Sequence, residues 1–229
     1  MRRLLVLLGS LALAGCIPAA QDHHPPVYRR PAPPPPAPPP HHAVGAHPNA
    51  DVRQCEADLS RAGAMFTPLQ DQRFSASCSA FGAVQMSLVA PGIAITNTKA
   101  LTCETALPLT RWVEGPVQAA AQRWFGVRVS RVESMGTYSC RNVIGNAASA
   151  SKLSEHAHAN AVDIGGFVLA DGRRVTVLSG WHGADDEAGF LHEVHDAACR
   201  NFITVLSPDY NAAHANHLHF DMGGSSFCR

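Results

Sequence analysis

Five residues in the second half of the chain are candidate ligands for a metal ion. His156 and Asp163 lie seven positions apart, and His214, His217 and His219 follow in one short segment near the C-terminus. Two imidazoles and one carboxylate can supply the three protein ligands of a catalytic zinc site, in which the fourth position stays open for a water molecule. These residue types therefore predict a zinc site with hydrolytic chemistry.

The two segments must differ in backbone geometry to meet at one ion. In His217-Leu218-His219 the period of a β-strand places both imidazoles on one face, while Leu218 and Phe220 point the other way into a core. A fully extended chain from His156 to Asp163 would span about 23 Å, too far for two ligands of one ion. The chain between them must therefore fold back, which its small residues allow.

The first segment resembles a known family signature. Ser154, His156, Ala161 and Asp163 match the pattern S-x-H-x-x-G-x-A-x-D of the zinc D-alanyl-D-alanine peptidases, which are related to lysostaphin and to the hedgehog signalling domain. The region from about Cys55 to Cys228 also resembles the extensin-like C-terminal domain of bacterial envelope proteins, a branch of the same superfamily. The resemblance covers most of the region that we expect to fold.

This resemblance implies a role for each matching residue. His156, Asp163 and His219 would be the metal ligands, and His217 the catalytic histidine. Ala159 stands where the signature has Gly, and it fits there if its φ angle is below zero. The general-base Glu of the dipeptidase branch is missing three residues before His219, because position 216 is Asn. His217 is therefore the better candidate for proton transfer.

Four further residues are candidates around the predicted ion. Arg141 follows a predicted strand, and peptidases of the superfamily often place an Arg near the metal, where it stabilises an oxyanion or holds a substrate carboxylate. A surface arginine beside a disulfide is the open alternative. Asp221 is a candidate to orient one of the histidines. His214 and Ser154 complete the group as residues beside the ligands or the substrate.

The patterns along the chain predict an α+β domain in which a small antiparallel sheet carries the zinc site and is flanked by helices. Residues 51–61 have helical spacing, and Pro108 and Pro116 should divide residues 103–125 into two helices. The sequence Ala-Asp-Gly-Arg at 170–173 predicts a hairpin. Three acidic residues at 185–187 then begin a helix.

One of the seven cysteines has a different expected role from the other six. The segment L13-A-G-C16 resembles the lipobox of bacterial lipoproteins, which implies a lipid on Cys16. The other six form an even set without a C-x-x-C pair in an exported chain, so three disulfides are expected. Their order along the chain suggests the pairs Cys55–Cys78, Cys103–Cys140 and Cys199–Cys228. A zinc ion bound by cysteines is the weaker alternative.

The N-terminal region predicts export and attachment to a membrane. Residues 1–15 have the basic start and short apolar run of a lipoprotein signal peptide. Residues 16–50 are rich in Pro and His and should form an extended, disordered linker. Residues 51–229 form the predicted domain. Because Ile17 rather than Asp follows Cys16, the resemblance implies the outer membrane, facing the periplasm.

These observations lead to one functional prediction. We expect a zinc-dependent peptidoglycan peptidase, either a carboxypeptidase or an endopeptidase, which cuts amide bonds of stem peptides or cross-links. The formal net charge of zero gives no indication of nucleic acid binding. Peptidoglycan and the membrane, through the lipid, are the expected partners, and an activator protein is left open. The alternatives are an inactive peptidoglycan-binding lipoprotein and a periplasmic metal-binding protein.

Overall fold

The computed structural model describes residues 49–224 and 226–229. The predicted signal peptide, the lipidated Cys16 and the linker up to residue 48 lie outside the described residues. Among the described residues, none of the helices has both the length and the apolar character needed to cross a membrane.

A large mixed sheet dominates the fold, so the prediction of a small antiparallel sheet is wrong. The strands are β1 Met65–Pro68, β2 Gln72–Arg73, β3 Ser79–Ala80, β4 Ala83–Ala90, β5 Ile93–Ile95, β6 Leu101–Thr102, β7 Val129–Gly136, β8 Ala161–Leu169, β9 Arg174–Thr176, β10 Thr204–Leu206, β11 Leu218–Asp221 and β12 Phe227–Cys228. Within the described residues the large sheet contains ten of them, in the order β1-β4-β5-β7-β8-β11-β10-β12, with β6 beside β4 and β9 beside β8, and β2 pairs with β3 apart from it. Two pairings in the large sheet are parallel, β5 with β7 and β10 with β12.

Helices pack against the sheet and enclose the core. They are α1 Ala50–Arg61, α2 Cys103–Trp112, α3 Gln118–Phe125, α4 Val177–Gly180 and α5 Asp185–Ala198. The mixed α+β class, the first helix, the acidic start of α5 and the hairpin between β8 and β9 are confirmed. Asn49 caps α1, since its side chain accepts a hydrogen bond from the backbone N–H of Asp51 at 2.8 Å.

The two expected helices between residues 103 and 125 are present, but only one of the two prolines lies between them. Pro108 lies inside α2, and Pro116 lies in a π-helical segment, Val113–Val117, that joins α2 directly to α3. Proline lacks the N–H that an α-helix interior uses, and a wider turn accommodates the lost hydrogen bond at Pro116. Burial explains why helical structure continues, because Leu109, Trp112 and Val113 are fully buried in the core.

Aromatic side chains fill the core beneath the centre of the sheet. The ring of Trp112 lies 5.0 Å from Phe220 and 6.0 Å from Phe167, measured between centroids. Phe202 stacks on Phe220, with 4.8 Å between their centroids. Phe220 lies on β11 between two polar residues, so its burial fixes which face of that strand is turned away from the core.

Three disulfides join elements that are distant in sequence. Cys55 on α1 pairs with Cys103 at the start of α2, and Cys78 pairs with Cys140. The predicted pairs Cys55–Cys78 and Cys103–Cys140 are therefore wrong, because the packing of α1 on α2 decides the partners rather than the order of the cysteines. The third predicted pair, Cys199–Cys228, is present, with 5.7 Å between its Cα atoms.

The pairing of Cys78 with Cys140 should contribute strongly to stability, because it closes a loop with a sequence separation of 62. We expect the Cys78→Ala/Cys140→Ala variant to lose about 4 kcal/mol of unfolding free energy, from the smaller entropy of the cross-linked unfolded chain. Equilibrium unfolding in urea measures this loss. Peptide mapping without reduction provides the control: a fragment linking Cys55 to Cys78 would contradict the observed pairing.

Candidate metal centre

Two neighbouring strands and one turn bring the predicted ligands together. β8 and β11 are antiparallel, and their register places Asp163 directly opposite His219. His156 comes from a short 3₁₀ turn, Glu155–His158, that precedes β8. We call His156, Asp163 and His219 the donor triad.

The donor atoms of the triad lie close together. Nε2 of His156 lies 3.1 Å from Oδ2 of Asp163 and 3.2 Å from Nδ1 of His219. Nδ1 of His219 lies 2.9 Å from Oδ1 of Asp163. Ligand atoms of a tetrahedral zinc ion, with bonds of about 2.0–2.1 Å, are about 3.3 Å apart. The donor triad therefore fits a zinc ion in both ligand type and spacing.

The turn that carries His156 is fixed by local hydrogen bonds. The side chain of Ser154 caps the turn and accepts from the backbone N–H of His156 at 3.3 Å. Ala159 then reverses the chain in the left-handed region, with φ of 55°, so the expectation of a negative φ is wrong. Asn160 donates to Oε2 of Glu155 at 2.9 Å and closes the turn. These contacts account for the reversal that the spacing required.

Each histidine of the triad is oriented by a hydrogen bond at its outer nitrogen, which is the ring nitrogen that faces away from the other two ligands. Nδ1 of His156 lies 2.7 Å from the carbonyl oxygen of Thr137, to which it must donate. Nε2 of His219 lies 2.9 Å from Oδ2 of Asp221. These bonds orient both rings and leave the inner nitrogens as metal donors. Sequence reasoning missed Thr137, since its contact uses a backbone carbonyl that no residue type reveals.

His217 and His214 lie beside the triad. Nε2 of His217 is 3.5 Å from Oδ1 of Asp163, and its Nδ1 is 2.9 Å from Oδ1 of Asn216. The ring of His214 lies 5.0 Å from that of His217, and its Nδ1 is 2.8 Å from Oδ1 of Asn211. His217 can therefore direct one nitrogen towards the triad while the other is held by an amide.

The surroundings shift the pKa values of these groups strongly. Burial alone would raise the pKa of Asp163, but hydrogen bonds and positive charge from His156 and His219 outweigh it and hold that pKa far below its usual range. Burial alone would lower the pKa of His219, whereas Asp163 and Asp221 raise it to about 9. Burial lowers the pKa of His217, and burial with the neighbouring histidines lowers that of His214 to about 4.

Two cavities adjoin at the donor triad. A cavity of about 450 Å³ contains His217, His219 and Glu155 in its lining, together with apolar residues such as Ile144. A second cavity of about 300 Å³ lies on the side of Asp163. Arg141 and His156 line both cavities, so the predicted arginine is close to the triad. Glu155 was not among the predicted site residues.

A second group of metal-binding residue types occurs elsewhere in the described part of the chain. It comprises His195, Cys199 and Cys228. The two cysteines are joined in a disulfide and present no thiolate to an ion. The donor triad is therefore the better candidate for a metal site.

Metal analysis of variants tests the roles of the triad and its neighbours. We expect one zinc ion per wild-type chain, and loss of zinc in Asp163→Asn at the same free zinc concentration, because a neutral amide replaces the carboxylate. Asp221→Asn should weaken zinc binding by about 10- to 100-fold, since a neutral amide replaces the charged partner of His219. His217→Ala serves as the matched control and should retain the ion; zinc loss in that variant would make His217 a ligand.

The metal-free protein should show a distinct dependence on pH. The pKa of His219, raised from 6.5 to about 9, adds stability that is complete below pH 6.5 and is lost as the pH rises through about 9. His219 is therefore protonated at pH 7, and zinc binding should release about one proton. Calorimetry in buffers of different ionisation enthalpy measures this release. A binding enthalpy that is independent of the buffer would contradict the assignment.

Comparison with known proteins places this chain in a family. A family model described as "Extensin-like protein C-terminus" matches residues 53–229. No curated protein and no solved structure matches the chain. The matched region includes the donor triad, all three disulfides and every strand of the large sheet. Because the match covers well over half of its residues, the chain belongs to the extensin-like protein C-terminus family.

Proposed function

We propose that this protein is a zinc-dependent peptidase that hydrolyses amide bonds in the stem peptides or cross-links of peptidoglycan. The close approach of donor atoms from His156, Asp163 and His219, with 2.9–3.2 Å between neighbouring atoms, is the observation that carries the proposal. The likeness of residues 154–163 to the signature of zinc D-alanyl-D-alanine peptidases supplies the substrate class.

The number of protein donors favours a catalytic ion over a structural one. Structural zinc sites use four protein ligands, whereas catalytic sites use three and keep one position for water or substrate. His217 lies nearby, with its Nε2 3.5 Å from Oδ1 of Asp163, but among the described residues it is not part of the group whose ligand atoms all lie within 4.8 Å of one another. The two cavities that adjoin the triad would give a substrate access to a bound ion.

The neighbouring side chains have the properties that amide hydrolysis requires. A bound zinc ion would lower the pKa of a water ligand and polarise the substrate carbonyl. Because burial keeps the pKa of His217 below its usual value, its Nε2 is free to accept a proton at neutral pH and to pass it to the leaving amine. The guanidinium of Arg141, in the lining of both cavities, would stabilise negative charge on the carbonyl oxygen.

The cellular location completes the proposal. Lipidation at Cys16 and a proline-rich linker would hold the domain at the outer membrane, facing the periplasm, within reach of peptidoglycan. Three disulfides suit an oxidising compartment of this kind. An inactive domain that only binds peptidoglycan is the competing function, and the following experiment separates the two.

Mass spectrometry of muropeptides tests the activity and identifies the bond. Zinc-loaded wild-type protein should produce new stem-peptide fragments, and chelation should abolish them. His217→Ala should keep its zinc but cleave about 10²- to 10⁴-fold more slowly, because it lacks the proton-transferring imidazole.

His182→Ala is the matched control, since this histidine has 76% of its side chain exposed and lies outside both cavities. It should cleave as the wild type does. Absence of fragments from wild-type protein that demonstrably holds one zinc ion would overturn the peptidase proposal and favour the binding protein.

A further inference from the structure

The end of α5 and the last strand bring a second set of metal-binding side chains together. A ring nitrogen of His195 and the sulfur atoms of Cys199 and Cys228 all lie within 4.8 Å of one another. His195 lies in the last turn of α5, and Cys199 follows four positions later at its end, a spacing that places both side chains on one face of the helix. Because the two sulfurs are joined in a disulfide, an ion can bind them only after reduction.

The surroundings of His195 are those of a metal ligand. Its Nδ1 lies 3.1 Å from Oδ1 of Asp196, and histidines that bind metal ions commonly have a carboxylate at the other ring nitrogen. The residue is buried, and no hydrogen bond among the described residues involves its Nε2. A buried polar atom without a partner is costly. Binding of an ion at this imidazole would remove that cost.

The backbone holds Cys228 in place independently of the disulfide. The N–H of Phe227 donates to the carbonyl oxygen of Ile203 at 2.9 Å, and the N–H of Arg229 donates to that of Val205 at 3.0 Å. These two bonds lie on either side of the cysteine and join β12 to β10. The other cysteine of the pair is fixed at the end of α5. Both sulfurs should therefore stay close together after the bond between them is broken.

Access and spacing also favour an ion between these two cysteines. Each of the other two disulfides includes a buried residue, Cys103 or Cys78, whereas neither Cys199 nor Cys228 is buried. Sulfur ligands of a tetrahedral zinc ion, with bonds of about 2.3 Å, are about 3.8 Å apart. Since the two Cα atoms are 5.7 Å apart, rotation of the side chains is enough to reach that separation.

We propose that His195, Cys199 and Cys228 form a second zinc site when the disulfide between the two cysteines is reduced. A dithiol reductant supplies two electrons and two protons: its thiolate attacks one sulfur, the S–S bond breaks, both cysteines become thiols, and the reductant leaves as a disulfide. Zinc then releases the thiol protons to solvent and binds two thiolates and the imidazole, with water in the fourth position. The ion joins α5 to β12, as the disulfide does in the oxidised protein. This inference does not depend on the peptidase proposal.

Cobalt(II) binding tests the site in Asp163→Asn protein, whose donor triad lacks its carboxylate. Cobalt(II) accepts the same ligands as zinc and shows an intense sulfur-to-metal charge-transfer absorption only when thiolates bind it. After limited treatment with a phosphine reductant, with peptide mapping showing that only Cys199 and Cys228 have become thiols, the protein should bind one cobalt ion with this absorption. The untreated protein should not show it. Circular dichroism follows the fold, and unfolding on reduction would refute the proposal, because the site needs the ordered backbone around Cys228.

Two substitutions in the same Asp163→Asn protein assign the ligands. His195→Gln should lose the cobalt ion at the concentration that saturates the reduced parent, and Cys199→Ser/Cys228→Ser should show no charge-transfer absorption after the same treatment. His192→Gln, on the same helix, is the matched control and should keep both the ion and the absorption. A reduced, folded parent without the absorption, or an absorption that survives either of the first two changes, would rule the site out.

Discussion

The register between β8 and β11 is the constraint on which the site depends. It sets Asp163 opposite His219, and a slip of one residue would turn His219 towards the core and Phe220 towards the cavities. Apolar packing fixes this register, because Phe220 is enclosed by Trp112 and Phe202 on the far side of the sheet. The geometry of the polar donors is thus maintained by the hydrophobic core.

Because the two histidines of the triad are buried, their outer nitrogens need hydrogen-bond partners. His156 is 2% exposed and His219 8% exposed, and polar groups in such positions are costly unless they are paired. Thr137 and Asp221 supply those partners. Thr137 also accepts from the N–H of Ala100 through its hydroxyl, so the ring of His156 and the loop before β6 share one anchor.

The sequence predicted features that depend on local pattern and failed where distant packing decides. Alternation around His219 and the turn at residues 170–173 indicated strands correctly, since each reflects the chain's own period. The size of the sheet and the partners of Cys55 and Cys78 depend on contacts between remote segments. Thr137 could not be predicted for the same reason, because its carbonyl meets His156 only after the sheet has formed.

At Ala159, tertiary contacts override the preference for glycine in the left-handed region. A left-handed backbone costs a non-glycine residue about 1–2 kcal/mol, and the peptidase signature that this segment resembles has glycine at that position. In this chain the methyl group of Ala159 is fully buried against Ala80, Ala83 and Ala100, which regains about 0.8 kcal/mol. Its carbonyl also accepts from the N–H of Thr102 at 2.7 Å, at the start of α2. The turn that presents His156 is therefore held by a helix as well as by the sheet, and this support allows alanine to replace glycine.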